Sequence, residues 1–593
     1  MKKYIILLLL MFVSTVLLAQ DPSSEKAKDS IKTEVVEVIT SYAPKVTDAF
    51  KIKRKPVITL SKDVEKKALN YQIISVPVAS TFIPASGTLK GIDVGKKELL
   101  FDNYLSVGFG NNTTPFFEGF VHQNTPFDSE YGISLKFTST SDPVENTELS
   151  SSFYNIDLDM FYKQEERYFD WKMGFNLQRN KYNWYGLPTN INYTEQAINA
   201  IEEEQTYKNY KVYGEIEFDD SYIKKGSASI GYFSDILDSS EINVDLNSSF
   251  AFPLGRFGLN LEDLQIGASL NYLSGSFAKS YNDVNEEINH SFITAGIHPS
   301  YDYVFYNFDI KIGAKAYFSM DTENSKNQFF VYPDIKVSYP IIPKFANLYV
   351  GASGDLHNNS FKSLSERNPY ISPTINITQT SETYNLFGGL KGVLADNVNY
   401  NVKGGYKNEE AKPLYILNYS KSDDGIKTAE TNGFLFKGYE YGNSFNVVYD
   451  NVKTVSFIGE INYDFSKQIS LGLNGEFNTY SLENQQEAWN LPKIKGDIFG
   501  KYKTEKWYAG ANIYFVGSRK GVLYDYDNDT IIPVDLESYV DVNLNGGYHF
   551  SDIFSVFLKA NNITNNSYQK FTNFNTQGFQ VLGGIIWKFD TLF

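Results

Sequence analysis

Residues 539–593 read YVDVNLNGGYHFSDIFSVFLKANNITNNSYQKFTNFNTQGFQVLGGIIWKFDTLF, and the alternation within this stretch decides the fold class. Val540, Val542 and Leu544 alternate with Asp541, Asn543 and Asn545, the period of a half-buried strand. A short turn at 550–552 leads to a second strand through Phe554 and Leu558, and an Asn-rich run then precedes the last strand. There Phe579, Val581, Gly583, Ile585, Trp587 and Phe589 share one face with the chain-terminal Phe593 in register, while Gln580, Gly584 and Lys588 occupy the other. Leu582 and Ile586 fall on the second face and break its polarity.

An apolar face with an aromatic at each end fits a strand that crosses a bilayer, because aromatic rings settle at both interfaces of an outer-membrane barrel. The stretch from Tyr539 to Phe589, with Asn561, Asn562, Ile563, Thr564, Asn565 and Tyr568 ahead of the closing strand, resembles the end of a TonB-dependent receptor barrel. That resemblance implies ligand uptake across the outer membrane and a TonB-type energising partner.

The rest of the chain repeats the signal. Ile133, Leu135 and Phe137 alternate with polar neighbours, as do Ile156, Leu158 and Met160, Phe308 to Phe318, and Val455 to Phe465. Compact turns near 164–167, 219–225, 305–307, 395–397, 466–467, 504–506 and 550–552 interleave with long polar connections at 180–206, 274–287, 357–381, 420–442, 519–536 and 563–577. Short turns on the periplasmic side and long loops outside are the rule for such barrels, and counting with it gives about 22 strands. The expected fold is all-β, a large transmembrane antiparallel barrel over residues 101–593 with a short N-terminal periplasmic segment.

Composition supports one repetitive domain. The 593 residues include 44 Tyr, 45 Phe and no Cys, which excludes disulfides and a lipid-modified Cys. A net charge of -16 disfavours nucleic acid as a partner. Residues 1–19 carry Lys2 and Lys3, an apolar run from Ile5 to Leu18, and Ala19, the pattern of a secretory signal peptide. The implied location is the bacterial outer membrane, with its lipid and the barrel assembly machinery as partners.

Residues 20–100 are polar and weakly periodic, a periplasmic segment or reduced plug. Within them Thr33, Glu34, Val35, Val36, Glu37, Val38 and Ile39 form a short extended run that resembles a TonB box, a strand recognised by edge addition. An ordinary periplasmic strand reads the same way. Only about sixty residues separate Ile39 from the first barrel strand, too few for the family's large folded plug. This departure keeps a second function in view, a plug-poor barrel serving as a structural or docking component that binds another periplasmic or outer-membrane protein.

No catalytic, cofactor or metal motif is present. His122, His290, His298, His357 and His549 are scattered, and the chain lacks HExxH, GxSxG and a Walker loop. Paired carboxylates such as Asp219 with Asp220 or Glu409 with Glu410 read as solvated turn charges, and Asp525, Asp527, Asn528 and Asp529 as a solvated outer loop. The expectation is a conduit or scaffold, not an enzyme. A barrel of this size needs an obstructed lumen to avoid leaking.

Overall fold

The computed structural model describes residues 101–125, 128–257, 262–422, 436–526, 528 and 530–590. The signal-peptide segment, residues 33–39 and Phe593 lie outside them.

Among the described residues, 22 strands form one sheet, each antiparallel to its neighbours. Closure comes from the first and last strands: Asn103–Gly110 pairs with Gln580–Phe589, from Asn103 opposite Phe589 to Gly110 opposite Leu582. Both chain ends of the barrel therefore sit at one rim. Connections on that rim are short, for example 306–307 and 396–397, whereas the opposite rim carries 184–203, 358–379 and 418–444. The short-turn rim is periplasmic and the long-loop rim extracellular.

The outer wall shows why this sheet lies in lipid. Val107, Ile133, Val212, Ile230, Ile297, Val331, Val402, Leu473, Ile513 and Ile585 are exposed on it as an aliphatic belt. Aromatics flank the belt on the periplasmic side at Tyr168, Tyr306, Phe465, Trp507, Phe550 and Trp587, and on the other side at Phe109, Phe329 and Phe579. Such a surface is stable only against hydrocarbon with rings at the interfaces, and the closed sheet leaves no backbone donor unpaired there. The protein is an outer-membrane barrel. No helix among the described residues is long and apolar enough to cross a membrane.

Strand length is uneven around the wall. Val398–Leu417 and Phe445–Asp464 each run 20 residues, against about 9–11 needed to span a bilayer. The wall therefore rises above the membrane on that side, where Trp489 and Val522 from neighbouring loops bury Leu414.

In the closing strand, Phe579, Ile585 and Trp587 face lipid. Leu582 and Ile586, the two residues that break the polar face in sequence, point inward and pack with Phe557, Phe116 and Tyr508 as an apolar patch on the lumen wall. Glu409, expected in a solvated turn, lies instead within the strand Val398–Leu417, is buried, and pairs with Lys407 and Lys412 at 2.9 and 2.7 Å. Asp219 and Asp220 do sit exposed in a periplasmic turn.

Candidate functional site

The extracellular mouth is roofed by the barrel's own loops. Residues 358–379 leave the strand Ala346–His357 and turn into the lumen, carrying the helix Phe361–Arg367. Ser360 starts this helix through a capping box with Ser363, satisfying two backbone donors reciprocally. Phe361 and Leu364 are fully buried. Phe361 meets Tyr207, Phe233 and Phe277 edge-on, with ring centroids 5.7, 5.3 and 4.9 Å away. Those three rings alternate along their strands with lipid-exposed Val212, Tyr232 and Tyr272, so they face inward and the helix sits inside the barrel mouth. Burying each of Phe361 and Leu364 is worth about 1.5–3 kcal/mol.

Polar contacts seat the same segment. Glu241, on the inner wall, accepts the Phe361 and Lys362 amides at 2.6 and 3.3 Å and lies 3.3 Å from His290 Nε2. Asn358 donates to Asn271 at 2.7 Å, and Gln379 bonds both Thr294 and Ser319. Further along, Ser372 N donates to Phe445 O at 2.8 Å, and Tyr370 stacks on Phe574 at 3.9 Å. Tyr185, whose phenol burial pushes up to about 12, donates to Asn575 O at 2.7 Å.

A second device joins three outer loops. Glu440 is fully buried and receives both Lys279 and Lys421 at 2.5 Å. The ammonium of Lys279 also lies 5.5 Å from the Tyr439 ring, and that of Lys421 lies 4.8 Å from Tyr281. Trp184 packs edge-on against Tyr439, and Asn443 donates to its carbonyl at 2.6 Å. Burial lowers Lys279 below the ordinary ammonium range, with Glu440 opposing that shift. Burial, with Glu440 adding to it, keeps the Tyr281 and Tyr439 phenols protonated. Such an ion triad is costly to desolvate, and its value lies in specifying one loop arrangement.

Below the roof the lumen wall is polar, with aromatic rings laid flat on glycines of the next strand. A Cβ at Gly174, Gly351 or Gly389 would run into Tyr213, Phe387 or Tyr349 respectively. Lysines stand over several of these rings, as Lys172 does over Tyr213 and Lys403 over Phe387. Sequence alternation marks these residues as inward-facing but gives no sign that glycine and ring meet across strands.

Of the residues singled out at the closing strand, Val581, Gly583, Ile585, Trp587 and Phe589 lie in the wall strand Gln580–Phe589 and Phe579 immediately precedes it. No group of three or more His, Asp or Glu among the described residues could hold a metal ion. Neither a family model nor a curated protein matches this chain. Solved structures do match in fold. The ferripyoverdine receptor of the outer membrane of Pseudomonas aeruginosa, bound to ferripyoverdine, aligns with a TM-score of 0.60 at 12% identity over 83% of this chain and 72% of that one. The FrpB iron transporter from Neisseria meningitidis aligns with a TM-score of 0.61 at 10% identity over 86% and 83%. The ferric-catecholate import receptor Fiu from K12 E. coli gives 0.59 at 10% identity over 83% and 82%. This chain has the barrel fold of those outer-membrane receptors.

Proposed function

We propose that this protein is an uptake receptor of the TonB-dependent kind, taking a solute at the extracellular mouth and passing it through the barrel. The roofed mouth carries the reading. A 22-stranded barrel encloses a lumen wide enough to leak, and here the obstruction at the outer end is built from loops held by side-chain contacts that can break and reform. The neighbours in fold, described as import receptors and iron transporters, support uptake. The charged groups of the roof pair with one another or with backbone, which suits a gate better than catalysis.

In this reading residues 1–19 direct export, 20–100 form the periplasmic segment, and the barrel follows. Residues 33–39 are the TonB contact, a backbone ladder that depends on strand formation more than on side chains. Val36→Pro removes a ladder donor and Val36→Ala does not. Crosslinking to TonB and ligand-dependent growth should both fail in the Pro variant alone, with barrel abundance unchanged. A Pro variant as fit as wild type, where deletion of the protein is harmful, would reject TonB coupling and favour a scaffold that binds a fixed partner.

A further inference from the structure

The inner wall near the periplasmic rim holds two lysines that have no counter-ion among the described residues. Lys336 and Lys391 stand on strands Lys326–Ile342 and Thr380–Ala395, which flank Ala346–His357 on either side. Their register places them on the inner face: Lys391 opposes Asn347, and the outward neighbours Ile335, Leu348 and Leu386 are exposed to lipid. Both ammonium groups approach the ring of Tyr349, at 6.0 and 5.8 Å from its centroid. Both lysines are exposed to the lumen.

Four carboxylates on this wall are engaged with other groups. Asp334 holds Lys311 at 2.7 Å, Asp355 holds Lys315 at 2.6 Å, Glu382 holds Lys407 at 2.9 Å, and Glu460 accepts from Asn401 at 3.2 Å. Among the described residues no carboxylate lies within salt-bridge distance of Lys336 or Lys391. A ring face offers an exposed cation only about 0.5–1 kcal/mol, which does not explain two like charges gathered over one ring in a chain with 70 acidic and 54 basic residues. Among the described residues the ammonium pair has no carboxylate of its own.

Beside Lys391 a recess opens toward the periplasmic rim, lined by Asn347, Asn399, Asn401, Asn462 and Glu460. Asn347 Oδ1 is buried there without a hydrogen-bond partner. Carboxamides and one carboxylate suit hydroxyl groups, and the ammonium pair suits a charge. We infer that this wall is a binding site for a hydroxylated solute bearing one anionic group, a carboxylate or a phosphate, held by Lys336 and Lys391 with its hydroxyls in the carboxamide recess. The inference names the solute class for the uptake reading, and rests on that reading only for the direction of passage.

Binding is measured without transport, so the two can fail separately. Full-length purified protein is titrated calorimetrically with D-glucuronate, with glucose 6-phosphate, and with glucose as the uncharged control. The wild type should bind at least one anion saturably and bind glucose far more weakly. Lys336→Gln and Lys391→Gln should each weaken the anion about tenfold, since a bond to a charged group is lost. Both lysines are exposed, so each variant should keep the heat-modifiable mobility of the folded barrel. Which anion binds decides between carboxylate and phosphate. Failure of the wild type to bind either, equal binding of glucose, or unchanged affinity in both variants would overturn the site, whatever Val36→Pro does to uptake.

Discussion

Glu241 on the barrel wall accepts the backbone amide of Phe361 at 2.6 Å, across 120 residues of chain. A buried carboxylate of the wall thus meets the first turn of a helix that belongs to a loop, where backbone amides point outward and the helix dipole is positive. The helix keeps its place in the mouth partly because the wall is charged at that point.

Glu241→Gln removes the charge and keeps the size. Hydrogen bonds to a charged acceptor contribute about 1.5–3 kcal/mol, so the inward segment should loosen while the sheet stays closed. Hydrogen exchange of residues 361–367 should accelerate, and trypsin should cut after Lys362 or Arg367 on intact cells. Protection equal to wild type would show that apolar packing of Phe361 and Leu364 alone seats the segment.

The Glu440 triad gives a sharper contrast. Glu440→Gln leaves Lys279 and Lys421 buried against each other without a counter-charge, and breaking a buried pair in this way costs about 3–5 kcal/mol. Loops 278–287 and 418–444 should separate, read as faster surface cleavage after Lys279 and Lys421. Replacing all three charges together, Lys279→Met, Glu440→Leu and Lys421→Met, should restore protection, because apolar residues of similar volume carry no desolvation cost. A triple variant as open as Glu440→Gln would mean the charges act on the loops by another route.

The barrel was legible in sequence because a transmembrane strand must satisfy a local rule, apolar outward and polar inward, repeated with interfacial aromatics. The roof was not. Phe361, Leu364, Ile371 and Ile375 lie in a Ser- and Asn-rich run with no sustained period, and nothing local tells that their partners are Tyr207, Phe233 and Phe445. The residues that spoiled the alternation, Leu582 and Ile586, turned out to build an inner apolar patch. Glu409 reads as solvated because acidic pairs usually are, yet it shares a strand face with Lys407 two residues before it, and the irregularity between Glu409 and Lys412 brings Lys412 beside it as well.

Register also governs the glycine and aromatic pairs. Gly389 lies directly opposite Tyr349 on the neighbouring strand, and the Tyr349 ring covers it. Gly389→Leu should push the ring off the wall and lower the folded, heat-modifiable fraction, and Tyr349→Ala in the same chain should restore only part of it, because the added Cβ also meets the backbone oxygen of Val402 at 2.6 Å. Overpacking of this kind typically costs about 1–3 kcal/mol. Normal assembly of the single variant would show that the wall accommodates the added side chain without displacing Tyr349.

The closing strand sets the last test. Leu105 opposes Trp587 and Val107 opposes Ile585 along Asn103–Gly110, while Phe554–Asn561 pairs with the other edge of Gln580–Phe589. Deleting residues 578–593 exposes both flanking strands as open edges in hydrocarbon. Each unpaired backbone polar group there costs several kcal/mol, and the loss is shared along two ladders at once. Repairing the gap would require Asn103–Gly110 to pair directly with Phe554–Asn561, and since each is antiparallel to Gln580–Phe589 the new pair would have to be parallel in a sheet that is otherwise antiparallel. The truncated chain should therefore be degraded before it accumulates in the outer membrane. A stable, heat-modifiable product at wild-type abundance would mean that a 21-stranded closure is available and that the terminal strand is dispensable for the fold.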